Sequence, residues 1–557
     1  MGCYQLTNKL INKFNYKTYL EIGVADPRFN YYHVMCESKE GCDPYYDTSG
    51  LDFTDEVKKE EVTYWMTSDE MFSVLPEDKK YDCIFIDGLH TEDQSKHDIV
   101  NSLKHLNENG LILVHDVFPR EERFTGDVNT TEEWYGNVYK SILDFKKIGG
   151  RFCSVREGEN VTIIPYQRLS ERQIGEYLAP SEFTYADYEK DTDEVMWVIP
   201  SDNIFKKVLI YHNNEYLSKN VRLSSDGKKT YGATEEWVYG IAEELYKRCF
   251  NVTVATDVYA NVYHGDIRYC PRNSDALSEY YDSAIFTTDV EVSKDINAGI
   301  KILAPTCEMF NTHFDGYVMA SYVAMLSECQ ERLFKLQYDV DSSMTFRHFL
   351  PCRHWLYDNY ADYEKENAMV WSSAPVRGLR FFVERVMPKI RRVIPDFKLY
   401  ICGYSNNYYE EEWAKFVKGV EPMINANREE LAELQKKSKI WIYPNFGRSE
   451  TSGFFRETYC VTAVENALAG NAIVCLYDKD GISTTLNGYE GFVDGGIIDE
   501  YSDNFMADYE IVAEVLAEKA IKILLNDGYR KFLADSARRI CSRYTWEKEA
   551  MIIAGKL

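Results

Sequence analysis

The sequence predicts an α/β protein built from several successive strand-and-helix layers. Three observations carry that reading. Short apolar runs such as "TYLEI" (18–22), "CIFID" (83–87) and "LILVHD" (111–116) recur, each bounded by turn residues. Between such runs lie stretches with apolar residues at helical spacing. In residues 232–256, Trp237, Val238, Ile241, Ala242, Leu245 and Tyr246 share one helix face. The ends of the apolar runs collect acids and glycines, which is where open α/β sheets place their ligands. With 557 residues the chain is long enough for three or four domains.

Composition narrows the function classes. Hydrophobic residues make up 45% and charged residues 27%, the balance of an ordinary globular protein. The 90 acids against 63 bases leave a net charge of −27, which argues against the basic footprint that nucleic acid requires. The 43 tyrosines supply aromatic faces of a kind that suits sugar rings. The 14 cysteines show no paired metal spacing, which fits a reducing cytoplasm. The opening "MGCYQLTNKLINKF" lacks an apolar targeting segment, and its sixth residue is not the Ser or Thr of a myristoylation signal. No apolar run approaches the length of a membrane span. A cytoplasmic location is the expectation.

The first strand, "TYLEI", runs into a turn at Gly23, and "EGCDPY" (40–45) ends a second strand on Asp43 about twenty residues later. An acid at that place hydrogen-bonds the ribose hydroxyls of an adenosine cofactor. There is no GxGxxG cradle for a diphosphate, so S-adenosylmethionine is favoured. "TYWMTSDEMF" (63–72) reads as the end of a third strand, with Ser68 and Asp69 beside the adenine. Residues 81–119 give strand, acidic loop, helix and strand, with Asp87 and Asp116 at the two strand ends and His90 in the loop.

With "YLEIGV", "IDGLHTEDQ", "HD" and "GNVYKSI" in order, residues 1 to about 200 resemble the class I S-adenosylmethionine-dependent methyltransferases, in the subgroup that carries these motifs. The resemblance implies a Rossmann-like domain in which Glu21, Gly23 and Asp43 hold the cofactor. It also implies Mg²⁺ on Asp87 and Asp116, since hard carboxylate oxygens suit that ion. His90 would then be the base that deprotonates a sugar hydroxyl. A loop-orienting hydrogen bond to backbone is the competing role for His90, and a helix N-cap the competing role for Asp116.

The acidic stretch 185–203 reads as a boundary, and "FKKVLIY" (205–211) restarts with a strand. The helix and strand of residues 232–256 follow, and "DSAIFTT", "GIKILAP" and "DGYVMAS" add short strands. A second α/β layer begins near residue 367. "AMVWSSAPVRGLRFFVERVMPKIRRVIPDFKLYICG" (368–403) gives strand, loop, amphipathic helix and strand, with Arg377-Gly378 at the helix start as an anion site. "REELAELQKKSKIWIYPN" gives another helix and strand. "ETYCVTAVENALAG" (457–470) then places Glu457 and Glu465 a little over two helical turns apart. If Glu457 lies in the loop before the helix, both carboxylates can reach one ligand.

On "SSAPVRGL", "YPN…ETYCVTAVENALAG" and the closing "RYTWEKEA", residues 205 to 557 resemble the two-domain GT-B retaining glycosyltransferases of family four. The resemblance implies a UDP- or GDP-sugar donor, with Glu457 near the sugar and diphosphate and Glu465 on the ribose. The family's phosphate pair is an Arg and a Lys. Here Ser372 stands at the Arg position and Arg377 at the Lys position, so Arg377 carries the diphosphate, with Arg380 as a helper. The insertion 445–455 lengthens the loop before Glu457, and the loop 232–235 reads Gly-Ala-Thr-Glu where relatives often have two glycines.

The expectation is therefore three domains, 1–204, 205–366 and 367–557. They would form a bifunctional enzyme of polysaccharide or glycoconjugate synthesis. One part transfers a sugar with retention, and the other O-methylates a glycan or glycolipid acceptor. A lipid-linked acceptor would be met at the membrane surface. The rival readings are a scaffold whose glycosyltransferase half has decayed, which Ser372 would favour, and a modifier of nucleobases or protein, which the charge disfavours.

Overall fold

The computed structural model describes residues 3–44, 62–131, 133–156, 160–213, 232–287, 291–306, 320–338, 340–402, 416–423, 426–444, 448–449, 453–454, 457–477, 481–494 and 505–557. The chain forms two compact units. One is Met1–Lys207 with Glu243–Val252 and Leu557, and the other is Val208–Ala242 with Thr253–Lys556. Both are α/β, as the sequence predicts.

The first unit is built on one six-stranded sheet of β1 (Thr18–Ile22), β2 (Ser38–Cys42), β3 (Tyr81–Ile86), β4 (Leu106–Val114), β5 (Cys153–Val155) and β6 (Val161–Pro165). The order is β2-β1-β3-β4-β6-β5. Strands β1 to β4 run parallel, and β6 and β5 close the edge antiparallel. Parallel strands are covered on both faces, which is why Cys83–Ile86 of β3 and Leu111–Val114 of β4 read as unbroken apolar runs. The helices are α1 (Cys3–Phe14), α2 (Ser68–Val74), α3 (Glu92–Lys104) and α4 (Val138–Lys147). Helix α3 starts where Thr91 accepts from the Gln94 N–H, with Glu92 and Asp93 in its first turn facing the positive helix end.

One expectation needs correction. Residues 63–72 do not end a third strand. Tyr64 makes an isolated bridge to Cys42, and Thr67 then opens α2 with a reciprocal capping box to Glu70. The stretch 185–203, read as a boundary, closes the first unit, which runs to Lys207. Its short helices Tyr185–Glu189 and Thr192–Val195 carry Tyr185, Tyr188, Met196 and Trp197 into the core of the first unit. Trp197 stacks on Phe152 at 4.4 Å.

The first part of the second unit contains an eight-stranded sheet. Its strands are β7 (Lys207–Tyr211), β8 (Asn251–Thr256), β9 (Val262–His264), β10 (Ile267–Pro271), β11 (Tyr281–Phe286), β12 (Ala298–Leu303), β13 (Tyr322–Met325) and β14 (Thr345–Arg347). They run in the order β14-β13-β12-β11-β7-β8-β10-β9. Of the strand expected in 315–321, residues 315–319 lie outside the described residues, and the strand described after it is Tyr322–Met325.

The second part has two three-stranded parallel sheets. One holds β15 (Ala368–Trp371), β16 (Lys398–Ile401) and β17 (Val420–Pro422). The other holds β18 (Ile440–Tyr443), β21 (Ala472–Tyr477) and β22 (Val493–Asp494). Between them the short pair β19 (Arg448–Ser449) and β20 (Gly453–Phe454) is the described portion of the inserted loop 445–455. The helix from β15 to β16 enters through Gly378 at φ 110° and passes a π turn, Phe382–Val386, just before Pro388. Proline has no N–H to return to the preceding turn, and the wider turn absorbs that loss.

The helix Trp546–Ala554 is fastened by a buried charge. The Glu549 carboxylate accepts from Trp237 Nε1 at 2.8 Å and from the Phe349 N–H at 3.1 Å, and it pairs with His348 Nδ1 at 3.0 Å. All three partners are donors, so the buried carboxylate is satisfied.

Gly23 has φ +83°, and a Cβ there would stand 2.0 Å from the Asp87 carbonyl oxygen. Gly23→Ala should therefore destabilise the first unit by well over about 1 kcal/mol, since it adds a backbone clash to a left-handed residue. Denaturant unfolding measures this, and a wild-type midpoint would remove the close approach as a constraint.

Candidate active sites

The first site lies at the C-terminal ends of β3 and β4. Asp87 follows β3 directly, and His115 and Asp116 follow β4. His90 sits between Asp87 and α3. His90 Nε2 lies 3.3 Å from Asp87 Oδ1 and 3.6 Å from Asp116 Oδ2. His115 Nδ1 lies 3.0 Å from the same Asp87 oxygen and 3.5 Å from Asp116 Oδ1. Asp116 has φ 57°, a conformation that costs a non-glycine residue energy and is held by its surroundings. That turn departs from strand alternation and lets the neighbours His115 and Asp116 both reach Asp87. No helix starts at Asp116, so it is not an N-cap.

The His90 imidazole is oriented by backbone. Its Nδ1 faces the Trp134 carbonyl oxygen at 3.1 Å, which can only accept. Nδ1 therefore carries a proton, and Nε2 is the atom turned to the carboxylates. A bare lone pair facing two carboxylates would be repelled, so a proton or another cation belongs between them. The titration of the cluster follows. Burial works against a charged His90, but the Asp87 hydrogen bond and charge outweigh it and raise its pKa. Burial likewise opposes charge on His115, and Asp87 raises it well above the ordinary value. Desolvation pushes Asp87 up, yet the two histidines hold it well below the usual carboxylate range. Asp116 is raised, by burial first and by the Asp87 charge among others. The oxygens of Asp87 and Asp116 and a His90 nitrogen all lie within 4.8 Å of one another, a spacing that fits one cation.

The cofactor candidates lie on the adjoining strands. Asp43 follows β2, and its Oδ2 accepts from the Ala25 N–H at 2.7 Å, which fixes the turn after Gly23. Glu21 is buried inside β1, where it accepts from the Tyr19 hydroxyl at 2.6 Å and from Asn30 Nδ2 at 3.0 Å. Burial pushes its carboxyl up to about 8, although both donors pull the other way. Ser68 and Asp69 open α2. Gln94 Nε2 donates towards Ser68 Oγ at 3.1 Å, Asp69 Oδ1 at 3.3 Å and Asp98 Oδ1 at 3.1 Å. Burial raises Asp98 to about 6.

The second site lies in the second unit. The helix that follows the "ETYC" segment is Val461–Leu468, so Glu457 is in the loop and Glu465 is on the helix. Arg377 Nη1 donates to Glu457 Oε2 at 2.5 Å, and the Tyr443 hydroxyl at the end of β18 donates to the same oxygen at 3.3 Å. Burial opposes charge on Arg377, and Glu457 more than restores it. No side chain caps the helix at Cys460. Glu465 is also buried. It accepts from Arg428 Nη1 at 2.8 Å and from Gln435 Nε2 at 3.4 Å. Burial raises its pKa and Arg428 partly offsets this. Arg428 Nη2 reaches Glu236 at 3.0 Å, and Glu236 also pairs with Arg353 at 3.0 Å. Arg380 instead pairs with Glu384 on the helix surface at 2.8 Å. The Ser372 hydroxyl oxygen is buried and has no hydrogen-bond partner among the described residues.

The structure thus brings together Asp87, His90 and Asp116, and separately Arg377 and Glu457. Glu465 belongs to its own network with Arg428. Sequence reasoning passed over His115, Gln94, Asp98, Tyr443 and Arg428. A sequence signal for His115 was its place beside Asp116 at a strand end. Arg428 carried none, because it meets Glu465 across a separation of 37 residues.

Residues 35–117 match the family model described as "Methyltransferase domain". No curated protein matches the chain in sequence. Among solved structures, sucrose-phosphate synthase from Thermosynechococcus elongatus is similar with a TM-score of 0.47 and 12% identity, covering 62% of this chain and 97% of that one. A glycosyltransferase from Rickettsia africae ESF-5 is similar with a TM-score of 0.44 and 13% identity, covering 63% and 98%. WaaG, a glycosyltransferase involved in lipopolysaccharide biosynthesis, gives a TM-score of 0.43 and 11% identity over 62% and 98%. No described helix is long and apolar enough to cross a membrane.

The raised Glu21 carboxyl has a consequence for stability. A carboxyl whose folded pKa of about 8 exceeds its unfolded value supports the fold fully below the unfolded value, and that support is lost as pH rises towards 8. Glu21→Gln keeps the shape and removes the titration. The melting temperature of wild type should therefore fall relative to Glu21→Gln between about pH 5 and pH 8. Parallel melting curves across that window would rule out a raised carboxyl.

Proposed function

We propose that the chain is a bifunctional transferase that glycosylates and O-methylates a glycan or glycolipid acceptor. The observation that carries this reading is the convergence of Asp87, His90, His115 and Asp116 at the ends of β3 and β4, in a segment similar to methyltransferase domains. The Arg377–Glu457 pair supports the glycosyl-transfer half.

For methylation, Asp43, Gly23, Ser68 and Asp69 would hold S-adenosylmethionine, which supplies the methyl group when bound. Glu21 would act from beneath the loop by anchoring Asn30. His90 Nε2, freed of its own proton when a cation takes the Asp87 and Asp116 carboxylates, would take the proton of the acceptor hydroxyl. These carboxylates fit Mg²⁺, whose charge would lower the cost of an acceptor alkoxide. A cation entering the cluster must replace the protons of the two histidines, so its affinity should rise with pH.

For glycosyl transfer, Arg377 would stabilise the leaving diphosphate of a UDP- or GDP-sugar. The uncapped first turn of Val461–Leu468 offers N–H groups to the same anion. Glu457 would lie by the sugar, and Glu465 would serve the nucleotide ribose after exchanging Arg428. The likeness to the retaining family implies an unchanged anomeric configuration. Ser372 favours a second reading, a scaffold with an inactive glycosyltransferase half.

Two experiments test this. Exhaustive chelation should abolish methyl transfer, and adding back Mg²⁺ should restore it; full activity without metal would leave His90 as a simple base. Arg377→Ala should lower sugar transfer by roughly 10²–10³-fold, the usual loss for one charge-stabilising donor. Arg377→Lys should recover part of it, because a point charge cannot reproduce the planar fork. Methylation by both variants should be unaffected. Sugar transfer at the wild-type rate by Arg377→Ala, or an inverted linkage by NMR, would overturn the retaining mechanism; no transfer by wild type from any nucleotide sugar would favour the scaffold.

A further inference from the structure

Residues 120–131 and 133–137 lie beyond the matched methyltransferase segment, and they build a wall against its reactive cluster. The Trp134 indole packs on the His90 imidazole with ring centroids 5.1 Å apart and 32° between planes. Its Nε1 donates to the Gly126 carbonyl at 2.9 Å, which fixes the ring. The neighbouring Tyr135 N–H donates to the Phe124 carbonyl at 3.0 Å, and the two rings lie 6.4 Å apart. The Tyr135 hydroxyl titrates high, chiefly through burial, and Asp116 and His115 are among the charges it feels. Leu89, next to His90 in sequence, is 56% exposed.

The wall is clasped to the His90 loop by backbone. The Asn137 N–H donates to the His90 carbonyl at 2.9 Å. Gly136 has φ +61°, and a Cβ there would lie 1.9 Å from that carbonyl oxygen. The Asn137 side chain accepts from the Gly126 N–H at 3.3 Å and donates to Asp127 Oδ1 at 2.8 Å. Aromatic rings half-open to solvent, fixed on both sides and set beside the reacting histidine, are more than His90 needs for its orientation. The Trp134 carbonyl alone already provides that.

We infer that Trp134 and Tyr135 form the acceptor platform of the methyltransferase half and select a pyranose ring. The chemistry matches on two sides. A pyranose presents an apolar C–H face that packs on an aromatic ring, and a rim of hydroxyls that can meet the His90, Asp87 and Asp116 groups. This inference rests on the methyltransferase reading proposed above.

The test uses the full-length protein with Mg²⁺ and radiolabelled S-adenosylmethionine. The acceptor probes are methyl glycosides of glucose, galactose, mannose and rhamnose, with catechol as a flat diol. At least one glycoside should be methylated. Trp134→Ala keeps the backbone carbonyl that holds His90. It should raise the glycoside KM at least 10-fold, with kcat within about 3-fold and affinity for S-adenosylhomocysteine unchanged. Trp134→Phe, with a smaller face, should fall between, and it serves if the alanine variant does not fold. An unchanged KM in both variants, or methylation of catechol and of no glycoside, would overturn the platform. So would binding of S-adenosylhomocysteine without transfer to any glycoside. Failure of wild type to bind S-adenosylhomocysteine would instead overturn the methyltransferase reading itself.

Discussion

A carboxylate withdrawn from water must have a positive partner or a set of donors, and both sites are organised around that requirement. Asp87 and Asp116 are held by His90 and His115, Glu457 by Arg377, and Glu465 by Arg428. Each of these groups is offered to a ligand while already engaged by the protein. Binding is therefore an exchange of partners. A cation entering the first cluster displaces protons, and a diphosphate at Arg377 competes with Glu457 for one guanidinium. The net affinity in each case is a small difference between two strong pairings. The benefit is that neither site carries a bare buried charge when empty, a condition that would cost several kcal/mol.

The two sites also differ in how firmly their parts are set. In the first, backbone does most of the positioning. The Trp134 carbonyl orients His90, the Ala25 N–H orients Asp43, and Gly23 packs on the Asp87 carbonyl. Side chains can change there without moving the frame. In the second, side chains position one another through Arg428, Glu236 and Arg353. Loss of one member strands the rest, so that network should tolerate little substitution. The overall charge of −27 adds a field that opposes an anionic nucleotide sugar at long range. Salt at physiological strength screens it beyond about 8 Å. Recognition of such a donor thus falls to contacts at the site.

Much of this was legible in the sequence, for physical reasons that differ by element. Strands β1, β3 and β4 announce themselves as apolar runs because they are covered on both faces. The pair Asp87 and Asp116 follows from strand-end logic, and Glu457 in the loop before the helix with Glu465 on it is the alternative that the sequence left open. The misread segment, 63–72, held its own correction. Thr67 and Glu70 form a capping-box spacing that outweighs the β-prone residues before it. The acids of 185–203 mark the end of the first unit while hiding the tyrosines and tryptophan that it buries there. What no pattern could show is the set of long-range partners. Arg428 with Glu465 and His115 with Asp87 are chosen by the packed fold, and the left-handed turn at Asp116 depends on that packing rather than on local preference.

Glu549 has a bearing on how the protein comes into being. Its carboxylate is the buried acceptor for Trp237 and Phe349, and it also pairs with His348, 201 residues before it in the chain. Those groups leave the ribosome long before it does. At the usual pace of synthesis the wait is on the order of 10–40 s for His348 and Phe349 and longer for Trp237. During that interval the Trp237 indole N–H and the Phe349 N–H lack the acceptor that Glu549 will bring. The second unit is thus a late-completing body whose nascent form calls for shielding, and its closure is timed by translation as well as by the chemistry of its core.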